Sequence, residues 1–126
     1  MILIYPDVFK AMQEFAANNH PNEIIVLLRG SRKGDDFIIT DFLLPPFGSG
    51  GRGFASFPTH MLPIDFTIMG TAHSHPSGVL KPSTRDFHNF YGRIMMIIGP
   101  PYDQPRAGAY YKSGEQIPVK FSNPQQ

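Results

Sequence analysis

Short apolar runs separated by turns are the feature that most constrains the fold of this chain. Glu23–Gly30 (EIIVLLRG), Phe37–Leu44 (FIITDFLL) and Ile94–Gly99 (IMMIIG) are six to eight residues long and contain many β-branched residues. Runs of this length and composition are typical of strands covered on both faces. They fall far short of the ~20 apolar residues that cross a bilayer. A buried sheet is therefore the expected core.

Two other segments have helical signals. Pro6 can open a helix, and the apolar residues after it recur at helical spacing: Val8, Phe9, Met12, Phe15 and Ala16. Ser83–Arg93 (STRDFHNFYGR) predicts a second helix. Further strands are expected at Ile2–Ile4, Phe66–His75, Gly108–Tyr111 and Ile117–Phe121. The pattern predicts a single α/β (α+β) domain over residues 1–121, with a mixed sheet flanked by helices and a tail at 122–126.

Composition removes several classes of function. The chain has no cysteine, which excludes disulfides, thiolate nucleophiles and cysteine-bound zinc. A net charge of +1 gives no reason to expect nucleic acid or a membrane as a partner. The first residues, MILIYPDVF, lack the basic region of a signal peptide. We expect a soluble cytoplasmic protein.

Two histidines two residues apart mark the candidate site. His73 and His75 project from one face of the expected strand, with Ser74 turned away. Pro76 ends the strand, so His75 lies where the chain leaves the sheet. Neutral imidazoles placed in this way suit a catalytic zinc ion, which takes two or three protein ligands and a water.

A serine and an aspartate follow at a spacing that fits the start of a helix. Ser83 is a good N-cap and Asp86 is its N3 residue, so the carboxylate can face the strand end as an oxygen ligand. The same residues also fit a simple capping arrangement beside two solvated histidines. Spacing alone leaves both interpretations open. The chain contains no G-x-S-x-G, Walker loop, H-E-x-x-H or P-C-x-x-C motif.

The segment HSHPSGVLKPSTRD has the form H-x-H-P, six residues, S-x-x-D, and resembles the signature of the JAMM (MPN+) zinc metalloprotease family. EIIVLLRG supplies the family's upstream glutamate, Glu23, in the form E-x-x-x-L-L-x-G. The resemblance extends over residues 1–121. The family includes compact archaeal members and the proteasome-lid deubiquitinase. It implies an MPN domain with a curved mixed sheet similar to that of the cytidine deaminases.

The resemblance also implies roles for five residues. His73, His75 and Asp86 would bind one zinc per chain, with water in the fourth position. Glu23 would be the general base, and Ser83 would hydrogen-bond the tetrahedral intermediate. The implied activity is that of an isopeptidase acting on ubiquitin or ubiquitin-like conjugates, with the proteasome as a candidate partner. Two alternatives remain: a processing peptidase for a small ubiquitin-like sulfur carrier, and a catalytically silent scaffold or binding module.

The glycine-rich segment Phe47–Phe54 (FGSGGRGF) is a candidate substrate contact. Four glycines in eight residues make it too flexible to hold its shape unaided. We expect it to lie beside the zinc and to pair with a substrate tail as an added strand, although an ordinary surface loop is the alternative. His20, His60 and His88 are expected to be structural or solvated rather than ligands.

Overall fold

The structure, a computed structural model, describes residues 1–45, 49–51, 54–56 and 64–123, with the backbone alone for 49–51 and 54–56. Within these ranges the elements are β1 (Ile2–Ile4), α1 (Pro6–Asn19), β2 (Ile25–Lys33), β3 (Asp36–Leu43), β4 (Ser49–Gly51), β5 (Phe54–Ser56), β6 (Ile68–Ser74), α2 (Thr84–His88), β7 (Ile94–Ile98), β8 (Gly108–Tyr111) and β9 (Val119–Phe121).

Seven strands form one mixed sheet in the order β8-β7-β6-β2-β3-β1-β9. β1 is parallel to β3 and β9, β6 is parallel to β7, and the other neighbours are antiparallel. The segment before β9 also bonds to β8, because Ile117 donates its backbone N–H to the carbonyl of Ala109 at 2.7 Å. The sheet therefore curves until it nearly closes. The combination of a mixed sheet with helices confirms the predicted α/β (α+β) fold class.

The core lies on both faces of the sheet. Val26 and Leu28 pack in the cluster that contains Phe9 of α1, while Ile25 and Leu27 belong to a separate cluster on the other face. Successive side chains of a strand alternate between faces, so a strand buried on both sides must be apolar throughout. The apolar run in β2 is thereby explained.

Several predicted boundaries were wrong, most clearly in β2, β6 and α2. β2 begins at Ile25 rather than Glu23, and it continues to Lys33; β6 spans Ile68–Ser74 instead of Phe66–His75. α2 ends at His88, five residues before the predicted end. The Asn89 side-chain N–H caps the carbonyl of Arg85 at 3.0 Å, and Gly92 takes a positive φ of 79° that turns the chain into β7.

β4 and β5 form a two-stranded antiparallel pair of their own. The expectation for Phe47–Phe54 is described only in part, since residues 46–48 and 52–53 lie outside the described residues, as does 57–63 with His60. The predicted tail, 122–126, is described through Asn123. Neither helix in the described ranges has the length and apolar character required to cross a membrane.

Candidate metal centre

The end of β6 lies beside the segment that precedes β2. His73 is the register partner of Ile25. The Ser74 backbone N–H donates to the carbonyl of Ile24 at 3.1 Å, and the Ile24 N–H donates to Ser74 Oγ at 2.8 Å. Together these two hydrogen bonds hold Glu23, the residue before Ile24, next to the strand that carries the histidines.

His73 is buried, with one ring nitrogen left unpaired. Its Nε2 lies 3.3 Å from Thr71 Oγ1, whereas its buried Nδ1 has no hydrogen-bond partner in the described part of the chain. With Nε2–H donating to Thr71, Nδ1 carries a free lone pair 3.7 Å from Asp86 Oδ1. Burial lowers the pKa of His73 to about 4, with Asp86 opposing the shift and His75 adding to it. The ring is therefore neutral at physiological pH, as a metal ligand must be.

His75 presents its second nitrogen to the same carboxylate. Its Nδ1 lies 3.0 Å from the carbonyl of Val79 and donates to it, because a carbonyl can only accept. Its Nε2 lies 3.0 Å from Asp86 Oδ2. In a neutral ring, Nε2 and the carboxylate would be two acceptors facing each other. Only a proton or a metal cation between them makes this contact favourable.

The pKa of His75 agrees with this arrangement. Burial alone lowers it, but the Asp86 hydrogen bond and charge, the Val79 carbonyl and the charge of Glu23 together raise the pKa of His75 above its ordinary value. Without metal, the ring holds a proton more readily than a free histidine. Metal binding at Nε2 must displace that proton.

Asp86 is fixed by the start of α2. Ser83 is the N-cap: its Oγ accepts the Asp86 backbone N–H at 3.2 Å, and its own N–H donates to Asp86 Oδ2 at 2.7 Å. Burial raises the pKa of Asp86, but the His75 and Ser83 hydrogen bonds and both histidine charges lower it to about 2. The carboxylate is ionised, and the capping box sets its direction.

Glu23 faces the same space from the other side. It lines a cavity of about 410 Å³ together with Ser83, Thr84, Arg85 and Asp86. Burial raises the pKa of Glu23; the charge of His75 lowers it, that of Asp86 raises it and that of Arg85 lowers it. A carboxylate with a raised pKa is a better proton acceptor than a free glutamate.

The donor atoms of the three predicted ligands suit zinc, although their present arrangement is not a preformed coordination shell. Within the described residues, no group of three or more His, Asp or Glu side chains is arranged to hold a metal ion. Asp86 is instead hydrogen-bonded directly to His75. Tetrahedral ligands at about 2.0–2.2 Å from zinc lie roughly 3.3–3.5 Å apart. The observed separations are 3.7 Å from Asp86 Oδ1 to His73 Nδ1 and 3.0 Å from the other carboxylate oxygen, Oδ2, to His75 Nε2, each close to that spacing. The unpaired Nδ1 of His73 leaves a buried nitrogen lone pair that could bind a cation.

The structure brings all five predicted site residues together. His73 and His75 both lie against Asp86, and Glu23 and Ser83 line the adjoining cavity. As predicted, Ser83 is an N-cap and Asp86 is its N3 residue. His88 and His20 are exposed outside this group.

Sequence reasoning missed the residues that orient the site. Thr71 contacts His73, the Val79 carbonyl contacts His75, and Ser74 fixes the Glu23 segment. Tyr102 lies against Ser74, where burial raises the pKa of its hydroxyl and a hydrogen bond with Ser74 partly opposes the shift. For Thr71 a signal was present, because it lies two residues before His73 on the same face of the strand.

Comparison with known proteins identifies the class. The family of prokaryotic homologues of the JAB domain matches residues 6–110, and the chain belongs to this JAB/MPN family. The resemblance predicted from the histidine motif is thereby confirmed.

Individual relatives agree with the class. A probable metalloprotease of Haloferax volcanii is 39% identical over 119 residues, covering 89% of this chain and 74% of the relative. A JAB1/MPN domain protein from Archaeoglobus fulgidus is 30% identical with a TM-score of 0.70, covering 98% of this chain and 100% of that one. A solved JAMM protein, described as a metalloprotease-like zinc site in the proteasome and signalosome, is 25% identical with a TM-score of 0.70, covering 98% of both chains. The chain is therefore homologous to a probable metalloprotease and similar in fold to JAB1/MPN and JAMM proteins.

Proposed function

We propose that the protein is a zinc-dependent metallopeptidase that removes ubiquitin or a ubiquitin-like protein from conjugates. The observation that carries the proposal is the convergence of two histidine nitrogens on one carboxylate, with a second carboxylate of raised pKa across the adjoining cavity. His73, His75 and Asp86 bind a metal and Glu23 moves a proton, and metal-assisted hydrolysis of an amide uses both.

Each residue has a separate task in this mechanism. His73, His75 and Asp86 hold one zinc ion, which when bound polarises the scissile carbonyl and lowers the pKa of a water. Glu23 accepts the proton of the attacking water and delivers it to the leaving amine. Ser83 Oγ accepts the Asp86 backbone N–H, which leaves its own hydrogen free to donate to the oxygen of the tetrahedral carbon.

The choice of substrate rests on the relatives. The name of the Haloferax volcanii protein supports peptidase chemistry. The JAMM protein described in the proteasome and signalosome supports a conjugated ubiquitin-like substrate and makes the proteasome a candidate partner for this chain. We expect the protein to act in the cytoplasm.

Zinc content and cleavage measured on the same samples test the proposal. The purified protein should contain one zinc per chain and release the modifier from at least one member of a panel of ubiquitin-like conjugates. His75→Ala should lose both zinc and cleavage while remaining folded by circular dichroism. His88→Ala, at an exposed histidine, is the matched control and should retain both. Stoichiometric zinc in His75→Ala would show that the ligand assignment is wrong.

A metal-free scaffold is the second candidate, favoured by the direct His75–Asp86 hydrogen bond, which satisfies both side chains without metal. A wild-type protein that binds no zinc when zinc is added would establish it. Zinc binding with cleavage of only a linear precursor of a sulfur carrier would instead identify a processing peptidase.

A further inference from the structure

A second cavity lies at the opposite end of the sheet from the metal centre. β2 runs from Ile25, beside His73, to Lys33. Arg32 is seven residues beyond Ile25, which at ~3.3 Å per strand residue places it about 23 Å away. A ligand held there would not touch the histidines.

Basic side chains surround this cavity. Its volume is about 350 Å³, and it is lined by Arg32, Phe37, Gly92, Arg93, Tyr111, Lys112 and Ser113. Three of these residues carry a positive charge and none carries a negative one. Among the described residues, no carboxylate forms an ion pair within 4.0 Å of the three cations, while the nearby Asp36 is paired with the N-terminal amine at 2.9 Å.

The three cations come from separate parts of the sheet: Arg32 lies in β2, Arg93 directly precedes β7 and Lys112 directly follows β8. The Arg32 guanidinium lies 5.2 Å from the centre of the Phe37 ring, and its Nε donates to the carbonyl of Gly34 at 3.2 Å. The Arg93 backbone N–H donates to the carbonyl of Met69 at 2.8 Å. Lys112 lies in the turn after β8, which is closed by the Gly114 N–H to Tyr111 carbonyl bond at 2.9 Å. The fold therefore places three positively charged side chains around one cavity.

We propose that this cavity binds a small ligand carrying a di- or triphosphate group. Like charges around one concavity repel each other, and an anion placed between them removes that repulsion. Arginine offers a planar fork of N–H donors that matches phosphate oxygens, and lysine adds a point charge. The Arg32 contact with Gly34 uses only Nε–H, so both terminal nitrogens retain their donors.

The number of cations distinguishes among anions. A single carboxylate from an acidic peptide would leave two of the three cations without a partner, whereas linked phosphates present several charges together. A nucleic acid backbone would require a longer basic surface, and the chain has a net charge of only +1. Inorganic pyrophosphate and a nucleoside diphosphate share the chemistry that this cavity recognises.

Calorimetric titration of the zinc-loaded protein with pyrophosphate tests the site. We expect saturable binding that Lys112→Gln weakens about tenfold or more, as for loss of a charged hydrogen bond. Lys120→Gln removes the same charge at an exposed residue outside the cavity lining and should leave binding unchanged. Arg93→Lys, which keeps the charge but loses the fork, should weaken binding with the fold intact. His75→Ala should still bind, because the metal centre is not used.

Four results would overturn the proposal. These are no saturation at millimolar pyrophosphate, equal weakening by Lys112→Gln and Lys120→Gln, loss of binding in His75→Ala, and tighter binding of an RNA oligonucleotide than of any small phosphate. Tighter binding of a nucleoside diphosphate than of pyrophosphate would support a nucleotide as the ligand. Equal binding would support the diphosphate group alone.

Discussion

Ser74 Oγ accepts the backbone N–H of Ile24 at 2.8 Å, joining the residue between the two histidines to the residue after Glu23. The Ser74 side chain is 1% exposed, so this bond is shielded from water. Because its Oγ also meets the Tyr102 hydroxyl, the same serine links β6, the Glu23 segment and the loop after β7. The separation between β6 and the Glu23 segment is thus set by Ser74, whose side chain lies on the face of the sheet opposite His73.

Ser74→Ala should separate positioning from metal binding. The substitution leaves the buried Ile24 N–H without its side-chain partner, which costs about 1–3 kcal/mol of the free energy of unfolding. Zinc content should be unchanged, since no ligand is altered, while kcat should fall because Glu23 is no longer held in place. Urea denaturation, elemental analysis and steady-state kinetics measure the three effects. Ser74→Thr keeps the hydroxyl and should retain most of the turnover; equal losses of kcat in both variants would argue against positioning.

The proximity of the candidate ligands could be predicted from the sequence because it depends on local geometry, although their role as zinc ligands came from the family resemblance and stays a prediction. His73 and His75 share a face by strand alternation, and Ser83 and Asp86 meet by the geometry of a helix start. The position of Glu23 was different, since 50 residues separate it from His73 and only the family resemblance connected the two. Residue chemistry alone would have left Glu23 as a charged residue at a turn.

The supporting contacts were not predictable for a physical reason. The Ser74–Ile24 bond depends on the register between β2 and β6, which single-sequence patterns do not determine. The length of α2 was overestimated because the Asn89 side-chain amide donates a hydrogen bond to the carbonyl of Arg85 and ends the helix there. Similarly, the cations of Arg32, Arg93 and Lys112 are distant in sequence and meet only in the folded sheet.

His73 should make the zinc-free protein sensitive to acid. Its pKa is lowered from 6.5 to about 4 in the folded state, so between these values the unfolded chain binds the extra proton. Stability from this group is complete above about pH 6.5 and is lost as pH falls towards 4, by up to about 3 kcal/mol. Urea denaturation across this range, after removal of metal by a chelator, measures it.

His73→Gln provides the comparison for this effect. The pKa of His75 is raised above 6.5, so its effect on the pH dependence of stability falls above that pH. The pKa of Asp86 is lowered from 3.8 to about 2, so its effect falls below pH 3.8. Glu23, with its raised pKa, contributes in the opposite sense above 4.5, but it does so in both proteins. The difference between wild type and His73→Gln therefore isolates His73. Identical pH dependence in the two would contradict the prediction.

Shortening the glycine-rich segment tests the predicted substrate contact. Ser49–Gly51 already pairs with Phe54–Ser56 as a hairpin, so strand geometry is accessible to this backbone. Deletion of Gly50 and Gly51 should raise KM for a conjugated substrate, because less backbone is available to pair with its tail. Zinc content should not change. A variant with unchanged KM and kcat would leave the segment as an ordinary surface hairpin.

Glu23→Gln isolates the proton transfer. The amide keeps the shape of the side chain but cannot accept the proton, so kcat should fall roughly 10²–10⁴-fold, the range for loss of general acid–base catalysis. Zinc and substrate affinity should be retained, because the ligands are His73, His75 and Asp86. Glu23→Asp should also be slow, since the shorter arm leaves the carboxylate about 1 Å or more from the water. Single-turnover kinetics with zinc measured in the same samples distinguishes the outcomes: near-full turnover of Glu23→Gln with zinc bound would rule out its role as the base, and zinc loss would make Glu23 part of the metal site.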